Sequence, residues 1–290
     1  MSDWWFKGAF LVLVLVLAAW LVWNFSAVIG RVFVFFPDRK VTRTPAQVGL
    51  GYRDLRIKTP DGEHLHGWLV VATSAAPLLI FCHGNAGNIG DRVDNVASLE
   101  KAGISVLIFD YRGYGKSSGH PSEEGIYTDA LATYHYAVEV LGYSPDGVVL
   151  FGRSLGAAVA ADLALRVPVA GIILESAFTN LNDMAWVHYP FIPGKFLVKG
   201  KFDLLEKIKR IKAPILVVHG ERDEIVPLWM GEKIFETAGG PKGFYKIPGA
   251  DHNDTEMVGG QAYIQRFRAF VYKVTGRGGL RLAHQPFCFF

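Results

Sequence analysis

Gly152-Arg153-Ser154-Leu155-Gly156 follows the apolar run VVLF and opens an alanine-rich stretch, AAVAADLALR. A strand that turns sharply into a helix lifts its central side chain clear of the sheet. The flanking glycines leave room for that turn. The helix start also aims free N–H groups at the same point, which favours a developing negative charge. Ser154 is therefore the candidate nucleophile. A second match, Gly115-Lys116-Ser117-Ser118-Gly119, lies in a polar loop ahead of His120-Pro121 and does not run from strand into helix. Context assigns it a loop role.

A serine hydroxyl needs a base, and the base needs a partner that fixes its tautomer. Asp223 lies in the loop HGERDEIVP, after the run ILVV. His252 lies in PGADHN, after FYKI. The order Ser, Asp, His, each just beyond a strand, suits proton relay to and from the serine. Glu224 is the rival acid, and Glu221 and Asp251 crowd the same loops. An oxyanion needs two fixed donors. The Leu155 N–H, next to the nucleophile, supplies one. The second is assigned to the Asn85 N–H, in the loop FCHGNAGN. His83 reads as a structural residue of that loop.

Eight short runs can position these groups: 55–58, 65–71, 78–81, 105–109, 148–151, 171–174, 215–218 and 244–247. From the third onward they are apolar, as buried parallel strands are. The first two carry more polar residues and read as an antiparallel edge pair. Helical stretches at 91–101, 122–140, 154–166, 228–237 and 263–274 alternate with them. The pattern predicts an α/β fold, a mostly parallel sheet with helices on both faces. Its sites should lie beyond the C-terminal strand ends.

The remaining chain sets the context. Residues 8–30 are almost unbroken apolar sequence without a charge. As a helix they would extend about 35 Å, enough to cross a bilayer. Trp4, Trp5, Trp20 and Trp23 lie near the ends. The run is long for a signal peptide and no small-x-small cleavage site follows it, so a retained transmembrane helix is expected at 1–30. Arg31, Arg39, Lys40 and Arg43 outnumber Lys7, and this balance favours a cytoplasmic domain by a small margin. Residues 31–50 read as a juxtamembrane linker, 51–275 as the catalytic domain and 276–290 as a poorly ordered tail. A net charge of +3 implies no nucleic-acid partner. Two cysteines, Cys82 and Cys288, suggest no disulfide framework and no zinc site. No phosphate loop, nucleotide fingerprint or metal-ligand cluster is present, so no cofactor is expected.

Together HGNAGN at 83–88, FDYRGYGKSSG at 109–119, GRSLG at 152–156, ESAF at 175–178, HGERDEIVP at 219–227 and GADHND at 249–254 resemble the α/β-hydrolase superfamily. Within it they resemble the membrane-anchored branch of serine-aminopeptidase-like hydrolases and protein depalmitoylases. The resemblance implies that loop 110–119 is architectural and that a short cap occupies 178–212. The cap aromatics, among them Trp186, Tyr189, Phe191 and Phe196, either bury the cap or offer an acyl-binding surface. The expected activity is that of an esterase or thioesterase acting on acyl groups of a lipid or acylated protein near a membrane. A peptidase or amidase is the alternative. A non-catalytic binding module conflicts with a complete triad.

Overall fold

The computed structural model describes residues 4, 6–14, 16–17, 20, 34–190 and 202–277. Eight strands form one sheet: β1 (Arg53–Lys58), β2 (His64–Val70), β3 (Leu78–Cys82), β4 (Ser105–Phe109), β5 (Val148–Arg153), β6 (Gly171–Glu175), β7 (Ile215–Gly220) and β8 (Lys242–Ile247). Their spatial order is β8-β7-β6-β5-β3-β4-β2-β1. Only β2 runs against the rest: it pairs antiparallel with β1 and β4, and every other pair is parallel.

Alternation along the strands builds two cores. In β3, Leu78, Ile80 and Cys82 face one side, with Leu150 of β5 and Val217 of β7. Leu79 and Phe81 face the other, with Phe151 and Val218. Helices α2 (Glu123–His135), α3 (Leu155–Ala164), α5 (Leu204–Ile208) and α6 (Leu228–Thr237) cover the first side. Helices α1 (Val93–Lys101) and α7 (Thr255–Val274) cover the second. Because both faces are covered, the central strands are apolar throughout rather than alternating. Helix α4 (Leu181–His188) belongs to the cap.

Three differences from the sequence reading have local causes. Helix α7 begins eight residues before the expected 263, because a short first piece precedes Gly260, whose non-helical φ +51° and ψ −135° set it off by a kink from the rest. Helix α2 stops at His135 and continues as a π turn over Tyr136–Val140. The stretch 34–50 is no free linker. Phe36–Pro37 pairs in parallel with Ala86–Gly87, Phe35 is buried against the Phe202 ring, and Pro45–Val48 forms a 3-10 turn.

Among the described residues no helix is long and apolar enough to cross a membrane. Residues 6–14 are helical, with Phe6, Phe10 and Leu13 exposed. Positions 1–3, 5, 15, 18, 19 and 21–30 of the expected transmembrane helix lie outside the described residues. So do the cap positions 191–201, with Phe191 and Phe196, and the tail from 278.

Candidate active site

Ser154 occupies the turn between β5 and α3 with φ +53° and ψ −117°. A side chain pays for such a conformation with strain of about 1–3 kcal/mol, so the surroundings must impose it. They do so by closeness. A Cβ at Gly152 would meet the Gly156 carbonyl oxygen, and one at Gly156 would meet the Cys82 carbonyl oxygen. No larger residue fits either position. The Ser154 N–H donates to the Glu175 carbonyl at 2.9 Å, tying the turn to β6.

The structure brings Ser154, His252 and Asp223 into one line. His252 Nε2 lies 3.2 Å from Ser154 Oγ. His252 Nδ1 lies 2.8 and 3.0 Å from the two Asp223 carboxylate oxygens. Asp223 is buried, and its Oδ1 also accepts from the N–H groups of Val226 at 2.7 Å and Ile225 at 3.1 Å. The Asp223 carboxylate accepts from Nδ1, which holds the proton of His252 there and leaves Nε2 free to accept from the serine.

The rival acids have other positions. Glu224 is exposed. Asp251 Oδ1 accepts from the His252 N–H at 2.6 Å and the Glu224 N–H at 3.1 Å, and these bonds lower its pKa. It thus clasps the acid loop to the base loop. Arg222 N–H to the Ala250 carbonyl, at 2.8 Å, does the same. His219 donates from Nε2 to the Val226 carbonyl at 2.8 Å, and burial lowers its pKa, so it stands neutral behind Asp223.

Leu155 is the first residue of α3, so its N–H has no carbonyl one turn earlier. The loop 83–88 passes beside it: a Cβ at Gly84 would lie 3.7 Å from Ser154 Cβ. His83 is fully buried, its Nδ1 bonds the Gly84 carbonyl at 2.7 Å, and burial pushes its pKa down to about 4. It is a neutral prop of the loop. The Asn85 carbonyl accepts from the Tyr114 hydroxyl at 2.7 Å and the Phe36 N–H at 2.9 Å, while its Nδ2 donates to the Val34 carbonyl at 3.2 Å. A serine with a relayed base, at the head of a helix whose first N–H lacks an intrahelical acceptor, supplies parts that acyl transfer requires.

Ser117 has a wholly different setting. It is buried, donates to the Asp110 carbonyl at 2.7 Å and accepts from the His66 N–H at 2.9 Å.

The family model of the α/β-hydrolase fold matches residues 77–199. An uncharacterised protein of Mycobacterium tuberculosis is 37% identical over 243 residues, 83% of this chain and 86% of its own. The α/β-hydrolase domain-containing protein WAV2 of Arabidopsis thaliana is 33% identical over 79% of this chain and 82% of its own. The chain belongs to the α/β-hydrolase family. Its fold also matches the esterase Pf2001 of Pyrococcus furiosus with a TM-score of 0.70, at 24% identity, over 83% of this chain and 100% of that one.

Two parts of this hydrolase's site escape motif reading. Arg153 Nη2 donates to the His252 carbonyl at 2.9 Å, and its Nε lies 3.2 Å from Glu175 Oε1. Glu175 is buried and also receives the hydroxyls of Thr255, at 2.8 Å, and Tyr263. This network joins β5, β6 and α7 beneath the catalytic line. An arginine beside the serine and a glutamate at the end of β6 were its only sequence signals. The second part is the segment 34–40. Besides Asn85 it holds Asn88, whose Nδ2 donates to the carbonyls of Asp38 at 3.2 Å and Lys40 at 3.0 Å.

Proposed function

We propose that this protein is a serine hydrolase of acyl esters or thioesters, held at a membrane by residues 8–30. One observation carries the catalytic part: the serine–histidine–aspartate line, with Ser154 forced to positive φ at the head of α3. Ser154 Oγ attacks the acyl carbonyl carbon and its proton passes to His252 Nε2. The carbonyl oxygen becomes an oxyanion and takes hydrogen bonds from the N–H groups of Asn85 and Leu155. Collapse breaks the bond to the alcohol or thiol, which leaves with the proton from His252. Water then attacks the acyl-enzyme with His252 again as base, and releases the acid and free Ser154.

The uncharged apolar segment supports membrane attachment, because it raises the local concentration of membrane-borne substrate. Exposed Trp186 on α4 and Tyr189 just after it supply apolar area on the cap, where each buried methylene of an acyl chain contributes up to about 0.8 kcal/mol. The test is catalytic efficiency on p-nitrophenyl esters from acetyl to palmitoyl, beside aminoacyl p-nitroanilides. Efficiency should rise with chain length until the pocket ends. Faster turnover of the anilides than of every ester would replace this reading with a peptidase.

A further inference from the structure

We propose that the rim of the active site is itself a membrane-docking surface, so that this hydrolase takes its acyl substrate directly out of the bilayer. The proposal rests on the membrane attachment proposed above and adds the orientation of the domain.

The orientation follows from where the apolar segment ends. Phe36–Pro37 is paired with Ala86–Gly87, and the Val34 carbonyl is bonded by Asn85 of the oxyanion loop. Three residues, and so four residue-to-residue steps, separate position 30 from Val34, and fully extended these steps reach about 14 Å. A bilayer that holds residues 8–30 therefore lies within about 14 Å of the chain beside Asn85. That loop follows β3, at the C-terminal edge of the parallel strands. This edge must face the membrane.

The same edge carries the exposed apolar side chains. Phe36 lies on the paired segment, Trp186 and Tyr189 on and just after α4, Ile225 in the acid loop, Trp229 in the first turn of α6 and Met257 in the first turn of α7. Met257 is 79% exposed. Elements after β6, β7 and β8, and the segment paired with the loop after β3, all contribute, and His188 Nε2 ties the cap to the Ile225 carbonyl at 2.8 Å. Among the described residues from 34 onward, the large apolar side chains exposed toward the opposite edge are Val71 and Val140. Trp and Tyr favour the interfacial layer of a bilayer, where ring and polar tip are both solvated well. Glu221, Arg222 and Glu224 are exposed in the acid loop and Arg39 and Lys40 on the segment of Phe36, so the rim carries both signs, insertion is driven by apolar area, and a zwitterionic surface suits it.

The test uses the full-length chain in phosphatidylcholine vesicles. An environment-sensitive fluorophore is placed by Met257→Cys, with Cys288→Ser to remove the tail thiol, and separately by Asp146→Cys at the opposite edge. Nitroxide-labelled phosphatidylcholine should quench position 257 about twofold or more, because an interfacial side chain sits roughly 5–10 Å into the headgroup boundary. Position 146 should remain unquenched. Equal quenching at both sites, quenching at neither, or protein that does not bind vesicles overturns the proposal. This readout needs no catalysis, so it stands apart from the esterase assay. In a second arm, Met257→Asp should leave hydrolysis of a soluble acetyl ester unchanged and slow a vesicle-borne palmitoyl thioester about tenfold, since a charge resists entering the interface. An unchanged rate on the vesicle-borne substrate would also overturn it.

Discussion

Asn85 donates through Nδ2 to the carbonyl of Val34 at 3.2 Å, so the loop after β3, proposed above to supply an oxyanion donor, is held by the segment that precedes the first strand of the sheet. The sequence reading takes residues 31–50 as a juxtamembrane linker. Residues 34–40 are instead docked on the domain, and their backbone also bonds Asn88 and, through the Asp38 carbonyl, the N–H of Gly115 at 2.9 Å.

A chain beginning at Val41 is thus expected to lose activity, whereas one beginning at residue 32 keeps it. The loss on a small soluble ester should be about tenfold or more in kcat, because moving the loop would displace the proposed Asn85 N–H donor, which acts on the transition state. Affinity for a trifluoromethyl ketone should fall in parallel. Equal kcat for the two chains would show that the segment has no part in positioning the loop.

Arg153 should act through His252. Arg153→Lys keeps a cation near buried Glu175 but cannot also reach the His252 carbonyl with a guanidinium fork. A folded protein with kcat lowered about tenfold and KM little changed is expected. Arg153→Met should be far less stable, by roughly 3–5 kcal/mol, because it leaves the Glu175 carboxylate buried without its partner. Chemical denaturation and steady-state kinetics on the same preparations check both.

The acid assignment separates neighbours. Asp223→Asn would turn an N–H donor toward His252 Nδ1 and select the wrong tautomer, costing on the order of 10³–10⁴ in kcat. Glu224→Gln, at an exposed side chain, should stay within about twofold of the parent. The reverse ranking would transfer the role to Glu224.

The fold was legible because its physics is local. Apolar runs such as VVLF and ILVV can only be buried strands, and all eight expected strands lie in the sheet. Ser154 was legible for the same reason, since a glycine-flanked serine between strand and helix has few other uses. The bonds of Arg153, Glu175, Thr255 and Tyr263 were not, because partners up to 99 positions apart leave no mark on local pattern. Nor was the docking of 34–40: Pro37 and Pro45 read equally well as breaks in a linker, and only the Asn85 and Asn88 contacts give the segment its place.

His83 makes stability depend on pH. Burial lowers its pKa to about 4 from the ordinary 6.5, so between these values the unfolded chain binds a proton that the folded one refuses. Stability then falls as pH drops from 6.5 toward 4, by roughly 3 kcal/mol from this group. His219 adds in the same direction. Asp129 opposes it, because burial raises its carboxyl to about 6 and the folded form gains a proton there. The comparison that isolates His83 is urea unfolding at pH 7 and pH 4.5 for the parent and His83→Asn. The variant should lose less stability on acidification, and an identical loss would refute a neutral buried His83.

The central claim is that Ser154, and not the buried Ser117, attacks the acyl group. Fluorophosphonate labelling of the full-length protein with Ser154→Ala and with Ser117→Ala tests it most directly. The account predicts no label on Ser154→Ala, and label retained on Ser117→Ala wherever that variant folds. Label retained at the parent level on folded Ser154→Ala would contradict it.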